Sequence, residues 1–229
     1  MSRHSDRANE NLDFSSKIMD IHHLLGAGKS RLPYFFYGLC RFLDGKIMEK
    51  KIKIRRGLKI IYTGNGKGKT SAALGTVIRA AGYNLKTIMI QFMKGSWHYG
   101  EKDGARLLAP FFEMEQMGKG FYKILDDDLP EEEHKKAAAA GVERAIEVLT
   151  SGEYDLVILD EINVALATDL VSLDDVRRIL DAHPATCHLI MTGRDAHPEV
   201  IERADLVTEM KEIKHPYQQG ILAQKGIDF

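Results

Sequence analysis

A glycine-rich loop that ends in a lysine and a threonine is the segment of this chain most typical of chemistry. An apolar run, residues 58–63, leads directly into Gly64-Asn-Gly-Lys-Gly-Lys-Thr70. Glycine tolerates the positive φ angles with which consecutive backbone N–H groups turn inward, so the segment can form a nest for an anion. Lys69 would add a positive charge, and the Thr70 hydroxyl would be a ligand for Mg²⁺. This pattern is typical of a phosphate-binding P-loop.

The loop is one residue shorter than the usual G-x-x-x-x-G-K-[ST] pattern, whose first glycine would fall at Thr63. Lys67 places a second cation inside it. Ser71 belongs to a helix-like segment whose positive N-terminal end would point at the same phosphates. A surface turn rich in glycine and lysine is the alternative interpretation, but the apolar run before it and the helical pattern after it favour a P-loop. The sequence therefore predicts a nucleotide or polyphosphate site.

Charged residues follow two further apolar runs. Residues 154–160 end in Asp160 and are followed by Glu161, which is similar to a Walker B element. Either acid could hold Mg²⁺ beside the P-loop, directly or through water; N-capping of a helix is the alternative. Arg194 follows Thr192-Gly193, and its planar, permanently charged guanidinium group suits a triphosphate or ribose contact. A surface arginine in a turn is the alternative there.

The elements that must position these residues alternate in type from Leu58 onward. We predict strands at residues 58–63, 87–92, 154–160, 188–192 and 206–210, and helices at 69–82, 131–150, 172–182 and 197–203. Strands that alternate with helices predict an α/β fold with a doubly wound, mostly parallel sheet. In such sheets the ligand binds at the carboxyl ends of the strands, where the charged residues described above are expected to meet.

The composition limits the classes of function. A chain of 229 residues can bury a substantial core, and its formal net charge of −1 gives no general attraction to nucleic acid. Cys40 and Cys187 match no metal or redox spacing and fit a reducing compartment. The longest apolar-rich run, residues 32–43, is too short to span a membrane, and no secretory signal is evident. We therefore expect a cytoplasmic protein with neither a nucleic acid nor a membrane as partner.

The first 56 residues differ in character from the rest. We predict a partly helical or flexible extension over residues 1–56 and a P-loop domain over 57–229. The extension contains the aromatic cluster Tyr34–Tyr37 and a basic run at 46–56. A nucleic-acid or lipid contact is one interpretation of the basic run, and a solvated linker is the favoured one. The segment Gly26–Ser30 imitates the end of a P-loop, but no clean apolar strand precedes it.

Five motifs occur in a fixed order between residue 57 and the C-terminus. They are Gly64-Asn-Gly-Lys-Gly-Lys-Thr70, Gln91-Phe-Met-Lys-Gly-x-Trp97-x-x-Gly-Glu101, Leu159-Asp-Glu161, Thr192-Gly-Arg194 and Lys214-His-x-x-x-x-Gly220-x-x-Ala-Gln-x-Gly-Ile-Asp228. Together they resemble the BtuR/CobO/CobP-type ATP:corrinoid adenosyltransferases. The resemblance implies a RecA-like P-loop fold and a role in cobalamin biosynthesis. It also implies transfer of the 5′-deoxyadenosyl group of ATP to the Co(I) centre of a corrinoid, with release of triphosphate.

The resemblance implies roles for individual residues as well. The triphosphate would be bound by Gly64, Asn65, Gly66, Lys67, Gly68, Lys69, Thr70 and Ser71, with Arg194 beside the nucleotide. Lys67 and Lys69 would stabilise the charge of the leaving group. Thr70, Glu161 and Asp160 would hold Mg²⁺ or Mn²⁺. Because Co(I) is itself the nucleophile, no residue is expected to act as an acid or a base.

For the corrinoid, which could be cobalamin, cobinamide or cobyrinic acid diamide, the resemblance implies a pocket with Trp97, Phe121 and Tyr122. Members of the family read Gly-Phe-Thr-Trp where this chain reads Gly-Phe-Tyr-Lys, so Lys123 replaces an aromatic residue. A homodimer and a flavoprotein as candidate reductant are also implied. The first 56 residues lie outside the resemblance, and a lid role for Tyr34–Tyr37 is a hypothesis suggested by the shorter N-terminal helices of relatives. An ordinary P-loop ATPase or small-molecule kinase is the first alternative function, and a nucleotide-gated binding module is the second.

Overall fold

The structure is a computed structural model that describes residues 54, 56–94, 99–120, 122 and 129–228. Apart from Ile54 and Arg56, the predicted N-terminal extension lies outside these residues, as does the P-loop-like segment Gly26–Ser30. The predicted domain boundary after residue 56 therefore stays a prediction.

The described part of the chain contains six strands, which form one sheet. In chain order they are β1 (Lys59–Thr63), β2 (Thr87–Gln91), β3 (Phe112–Gln116), β4 (Leu156–Asp160), β5 (His188–Thr192) and β6 (Leu206–Glu209). Their spatial order is β3-β2-β4-β5-β1-β6, and each pair of neighbours is parallel. The predicted α/β fold with a doubly wound sheet is confirmed, and the sheet is parallel throughout.

Helices cover both faces of this sheet. They are α1 (Lys69–Gly82), α2 (Gly100–Leu107), α3 (Glu131–Ser151), α4 (Ile162–Ala167), α5 (Leu173–Ala182) and α6 (Pro198–Glu202), and a 3₁₀ helix spans Pro216–Gln219. Alternate strand residues point to opposite faces. Met89 and Ile158 pack with α1 and α2, whereas Ile88 and Val157 pack in the core formed with α3 to α6. This burial on both faces explains why the central strands are apolar runs without alternation.

Local sequence signals set several helix boundaries. Ser172 caps α5: its hydroxyl accepts a hydrogen bond from the Asp175 backbone N–H, and the Asp175 carboxylate accepts one from the Ser172 backbone N–H. In α1, Ala73, Val77 and Ala80 are buried at helical spacing against the sheet. Among the described residues, none of the helices combines the length and hydropathy that a membrane crossing would need.

The sequence prediction missed β3, α2 and α4. The sequence of β3, Phe-Glu-Met-Glu-Gln, contains two glutamates, which are unusual in a strand. They are tolerated because β3 is at the edge of the sheet, where the glutamates pair with residues outside it. Glu115 accepts hydrogen bonds from the guanidinium of Arg144 at 2.9 and 2.7 Å. Glu113 accepts one from the Tyr154 hydroxyl at 2.8 Å. These partners satisfy charges that a central strand could not accommodate.

Candidate functional site

The carboxyl ends of four neighbouring strands bring the predicted site residues together. In the spatial order β2-β4-β5-β1, these strands end at Gln91, Asp160, Thr192 and Thr63. The glycine-rich loop follows Thr63 directly and leads into α1. The predicted strand–loop–helix context of the P-loop is therefore present in the structure, and the Walker B-like acid lies two strands away in the same sheet.

The loop packs closely against the chain that follows β6. Gly64 and Gly68 have φ angles of 92° and 107°, in the region that favours glycine. The backbone N–H of Gly66 donates a hydrogen bond to the Met210 carbonyl oxygen at 2.6 Å. A Cβ atom at Gly64 would lie 2.5 Å from the same oxygen. The glycines are thus required by the close approach of this segment as well as by the curvature of the loop.

Lys69 is buried inside the loop. Its side chain is only 7% exposed, and its ammonium group donates hydrogen bonds to the carbonyl oxygens of Gly64 at 2.9 Å and Gly66 at 2.8 Å. Burial lowers the pKa of Lys69, while the carboxylates of Glu161 and Asp160 act in the opposite direction. These contacts place a cation at the centre of the loop, next to where an anion would bind.

Asp160 links three elements at the floor of the site. It is completely buried, and one carboxylate oxygen accepts hydrogen bonds from the hydroxyls of Thr70 and Thr192, both at 2.8 Å. The other oxygen accepts a hydrogen bond from the Gln91 side-chain amide at 3.1 Å. Asp160 therefore fixes the orientation of the Thr70 hydroxyl relative to β2 and β5. Neither Gln91 nor Thr192 was predicted to be a partner of this acid.

Glu161 is the second acid, and its environment differs. Its backbone has a φ of 62°, and its N–H donates a hydrogen bond to the Thr192 hydroxyl at 2.9 Å. Within the described part of the chain, its carboxylate accepts no hydrogen bond. Burial, and then the nearby charge of Asp160, raise the pKa of Glu161. Its charge is thus poorly compensated, which is the condition that a bound cation would relieve.

Lys94 adds a further cation, one for which its sequence motif predicts no role. Its ammonium group forms an ion pair with Glu101 and lies 3.9 Å from a carboxylate oxygen of Asp160. It also lies 4.7 Å from the centre of the Tyr99 ring. The motif that contains Gln91, Lys94 and Glu101 is the sequence signal for this cluster, because Gln91 ends β2 at this edge of the sheet.

Arg194 lies at the same edge, on a turn held by a glycine. It is exposed and follows β5, which ends at Thr192, and its positive charge acts to lower the pKa values of Lys69 and Glu161. Gly193 before it has a φ of 131°, and a Cβ atom there would lie 2.9 Å from the backbone nitrogen of Val164. The turn that carries Arg194 is therefore packed on the start of α4.

We expect Gly193→Ala to destabilise the protein by about 3 kcal/mol, because the new methyl group would be strained and would collide with the α4 backbone. For a domain of this size, that corresponds to a fall in Tm of about 10 °C in thermal unfolding. Gly152→Ala is the matched control: Gly152 also has a positive φ, 73°, but no atom lies within 4 Å of the added carbon. It should cost only about 1 kcal/mol. Equal effects of the two substitutions would contradict the packing argument.

The aromatic residues predicted for the corrinoid pocket are mostly outside the described residues, which exclude Trp97, Phe121 and Lys123. Tyr122 is described, is 6% exposed and has its ring centre 5.2 Å from that of His134. It belongs to the core cluster that also contains residues of α3. The described residues contain no group of three His, Cys, Asp or Glu side chains arranged to hold a metal ion by themselves.

The chain was compared with known protein families. The model of the family described as ATP:corrinoid adenosyltransferase BtuR/CobO/CobP matches residues 55–229. This chain belongs to that family. The resemblance that the five motifs indicated is confirmed, and the match covers the whole of the described sheet and its helices.

Several relatives of this ATP:corrinoid adenosyltransferase family member are similar over most of their length. The corrinoid adenosyltransferase of Pseudomonas aeruginosa is 40% identical over 187 residues, which are 82% of this chain and 90% of the relative. That of Escherichia coli (strain K12) is 39% identical over 176 residues, or 76% of this chain and 86% of the relative. Corrinoid adenosyltransferase CobA of Salmonella typhimurium is 38% identical over 175 residues, with the same shares of 76% and 86%.

Among solved structures, the flagellar accessory protein FlaH from Methanocaldococcus jannaschii is similar with a TM-score of 0.44. It is 14% identical, and the match covers 68% of this chain and 72% of that one. A similarity at this level has no bearing on the function of this family member, and the description of its fold rests on the strand pairings themselves.

Proposed function

We propose that this protein transfers the 5′-deoxyadenosyl group of ATP to the cobalt of a corrinoid. The observation that carries the proposal is the family match over residues 55–229. The site supports it, since a P-loop, a buried lysine and two acids meet at the carboxyl ends of the strands, where doubly wound sheets bind nucleotides. ATP and a corrinoid are accordingly the two substrates.

In the proposed reaction, the electron pair of Co(I) attacks the C5′ atom of ATP. A Co–C5′ bond forms, the bond between C5′ and its oxygen breaks, and triphosphate leaves with that electron pair. The cobalt is thereby oxidised formally from Co(I) to Co(III). The nucleophile needs no deprotonation, so the demand on the protein is to stabilise charge along the leaving triphosphate.

The chain's own cations fit that demand. Lys67 and Lys69 belong to the loop and Arg194 follows the neighbouring strand β5, so a triphosphate in the loop could meet positive charge along its length. The N-terminal end of α1, which begins at Lys69, adds backbone N–H groups and a favourable dipole. With the phosphates held in the loop, the ribose would point outward, and C5′ would face a corrinoid bound above the sheet edge.

We further propose that Mg²⁺ binds at Thr70 and Glu161, with Asp160 as the residue that orients Thr70. The hydrogen-bonding capacity of Asp160 is used by Thr70, Thr192 and Gln91. Glu161 has the poorly compensated charge, which favours it as the direct ligand. A bound Mg²⁺ would supply charge neutralisation to the phosphates, whose oxygens would complete its coordination.

An anaerobic assay with chemically reduced cob(I)alamin and Mg-ATP tests the proposed function against the ATPase or kinase alternative. We expect the Co(I) absorption to disappear and inorganic triphosphate to form in equal amount. Persistence of Co(I), with release of ADP or phosphate, would favour the alternative. ATP binding without any turnover would favour the nucleotide-gated binding module.

Other features of the resemblance stay predictions. They are the homodimer, the flavoprotein reductant and the aromatic corrinoid pocket. The cytoplasmic location, expected from the composition, and the lid role hypothesised for Tyr34–Tyr37 also stay predictions. The replacement of a family tryptophan by Lys123 bears on that pocket directly. A Lys123→Trp variant that binds cob(II)alamin more tightly than the wild type would indicate that the lower face of the corrinoid contacts this position.

A further inference from the structure

The C-terminal segment, residues 210–228, returns to the P-loop and places a carboxylate on it. One oxygen of Asp228 forms an ion pair with the ammonium group of Lys67. The other accepts a hydrogen bond from the Gln224 backbone N–H at 2.7 Å, and the Asp228 N–H donates one to the Gln224 carbonyl oxygen at 2.8 Å. The carboxylate is thus held by a local turn and presented to the loop, rather than hanging free in solvent.

Three of the groups with which the loop would bind phosphate are engaged by acceptors of the chain itself. The Gly66 N–H is bonded to the Met210 carbonyl, and Lys69 is bonded to the carbonyls of Gly64 and Gly66. Lys67 is bonded to Asp228. Two of these acceptors, Met210 and Asp228, belong to the C-terminal segment. A polyphosphate that binds to the Gly66 N–H and to Lys67 must therefore displace contacts with this segment.

We propose that the Asp228 carboxylate competes with polyphosphate for Lys67, so that nucleotide binding breaks this ion pair and its return helps to expel triphosphate. The inference rests on the proposed function, since it takes the loop to be the triphosphate site. It adds a residue outside the loop that sets how tightly the loop retains its most highly charged product.

The exposure of the pair suits a contact that is made and broken in each cycle. The side chain of Lys67 is 47% exposed and that of Asp228 is 16% exposed. Ion pairs with this degree of exposure contribute little to stability, so the cost of breaking one is small. A triphosphate offers several oxygens to the same loop and would therefore displace the Asp228 carboxylate from Lys67 when it binds.

The rest of the segment is able to move with Asp228. Its large apolar side chains are mostly in solvent: Ile213 is 83% exposed, Leu222 76% and Ile227 78%. A segment with few buried apolar contacts opens at low cost, because little hydrophobic burial is lost. The Lys67–Asp228 pair and the Gly66–Met210 hydrogen bond are two polar contacts between the loop and this segment.

A permanent orienting contact is the opposite interpretation: Asp228 would keep Lys67 in place for the phosphates and strengthen their binding. The two interpretations predict opposite changes in polyphosphate affinity when the carboxylate is removed. Competition predicts tighter polyphosphate binding by Asp228→Asn, whereas orientation predicts weaker binding.

The test is the Kd of inorganic triphosphate, measured by calorimetry on the full chain in the presence of Mg²⁺. We expect Asp228→Asn to lower the Kd about threefold, an effect of the size that an exposed ion pair allows. Lys67→Met should raise the Kd, and Asp228→Asn should have no further effect in the Lys67→Met background. Glu212→Gln is the matched control, because it removes one negative charge from the same segment, where Glu212 accepts a hydrogen bond from Gln218 at 2.8 Å.

Amide hydrogen exchange provides a second readout that does not depend on affinity. In the wild type, triphosphate should accelerate exchange at Gln224 and Asp228, whose amides are protected by the turn. Suppose that Lys67→Met weakens triphosphate binding as expected. An unchanged or raised Kd for Asp228→Asn, or unaltered exchange at Gln224, would then overturn the inference. If the wild type itself fails to bind triphosphate, the proposed function fails with it.

Discussion

Lys69→Met is expected to lower kcat/KM for adenosyl transfer by about a hundredfold or more. The loss of one preorganised group that stabilises a developing anion typically has this effect. Lys69 lies within the loop, 7% exposed, and its two hydrogen bonds to loop carbonyls hold its ammonium group where the phosphates would lie. Methionine has a similar length and no charge. The measurement is the rate of disappearance of cob(I)alamin at varied Mg-ATP concentration.

The matched control for this substitution is Lys86→Met, which removes an exposed lysine at the opposite, amino-terminal end of β2. Its kcat/KM should stay within about twofold of the wild type, in line with the small effect of isolated surface charges. Thermal unfolding of both variants distinguishes a loss of catalytic activity from a loss of folding. Full activity of a folded Lys69→Met protein would contradict the role given to this residue.

Glu161→Gln is expected to raise the Mg²⁺ concentration needed for half-maximal activity by at least about tenfold, the usual range for disturbed metal sites. The same substitution should stabilise the protein without nucleotide at neutral pH, because it removes a charge that burial and Asp160 disfavour. A metal titration of activity and a thermal unfolding curve measure the two effects. Glu202→Gln, at an exposed position of α6, is the control.

The pH dependence of stability follows from the raised pKa of Glu161. In the folded state this carboxyl binds its proton more tightly than in the unfolded state, so its contribution to stability is present at low pH. That contribution is lost as the pH rises from the ordinary glutamate range through the raised pKa. Without nucleotide, the wild type should therefore lose more stability over this interval than Glu161→Gln does. Parallel stability profiles of the two proteins would contradict the assignment.

The sequence predicted those parts of the fold whose signals are local. The bounds predicted for α1, residues 69–82, and for β5, residues 188–192, are the observed ones. In α1 the buried residues recur at helical spacing directly after Gly68, and β5 is a short apolar run, so both signals are local. By contrast, α2 and β3 carry many charges, and the charges of β3 are satisfied by residues 29 and 41 positions away, Arg144 and Tyr154. A local pattern cannot reveal such partners.

The candidate site shows the same division. Lys69, Thr70, Asp160 and Glu161 could be predicted because each stands next to a recognisable strand or loop. The bond between Thr70 and Asp160 spans 90 positions, and the ion pair between Lys67 and Asp228 spans 161. These pairings depend on strand order and on the path of the chain after β6. The C-terminal motif that contains Asp228 is visible in the sequence, but only the fold shows that Asp228 contacts the loop.

The measurement that tests the central claim most directly uses ATP labelled with ¹⁸O at its 5′ bridging oxygen, together with anaerobic cob(I)alamin. Attack of cobalt on C5′ breaks the bond between C5′ and this oxygen, so the account predicts that all of the label leaves in inorganic triphosphate. The corrinoid product should contain the adenosyl group and no label. Label retained in an adenosine product, or found in ADP, would show that a P–O bond breaks instead and would contradict adenosyl transfer.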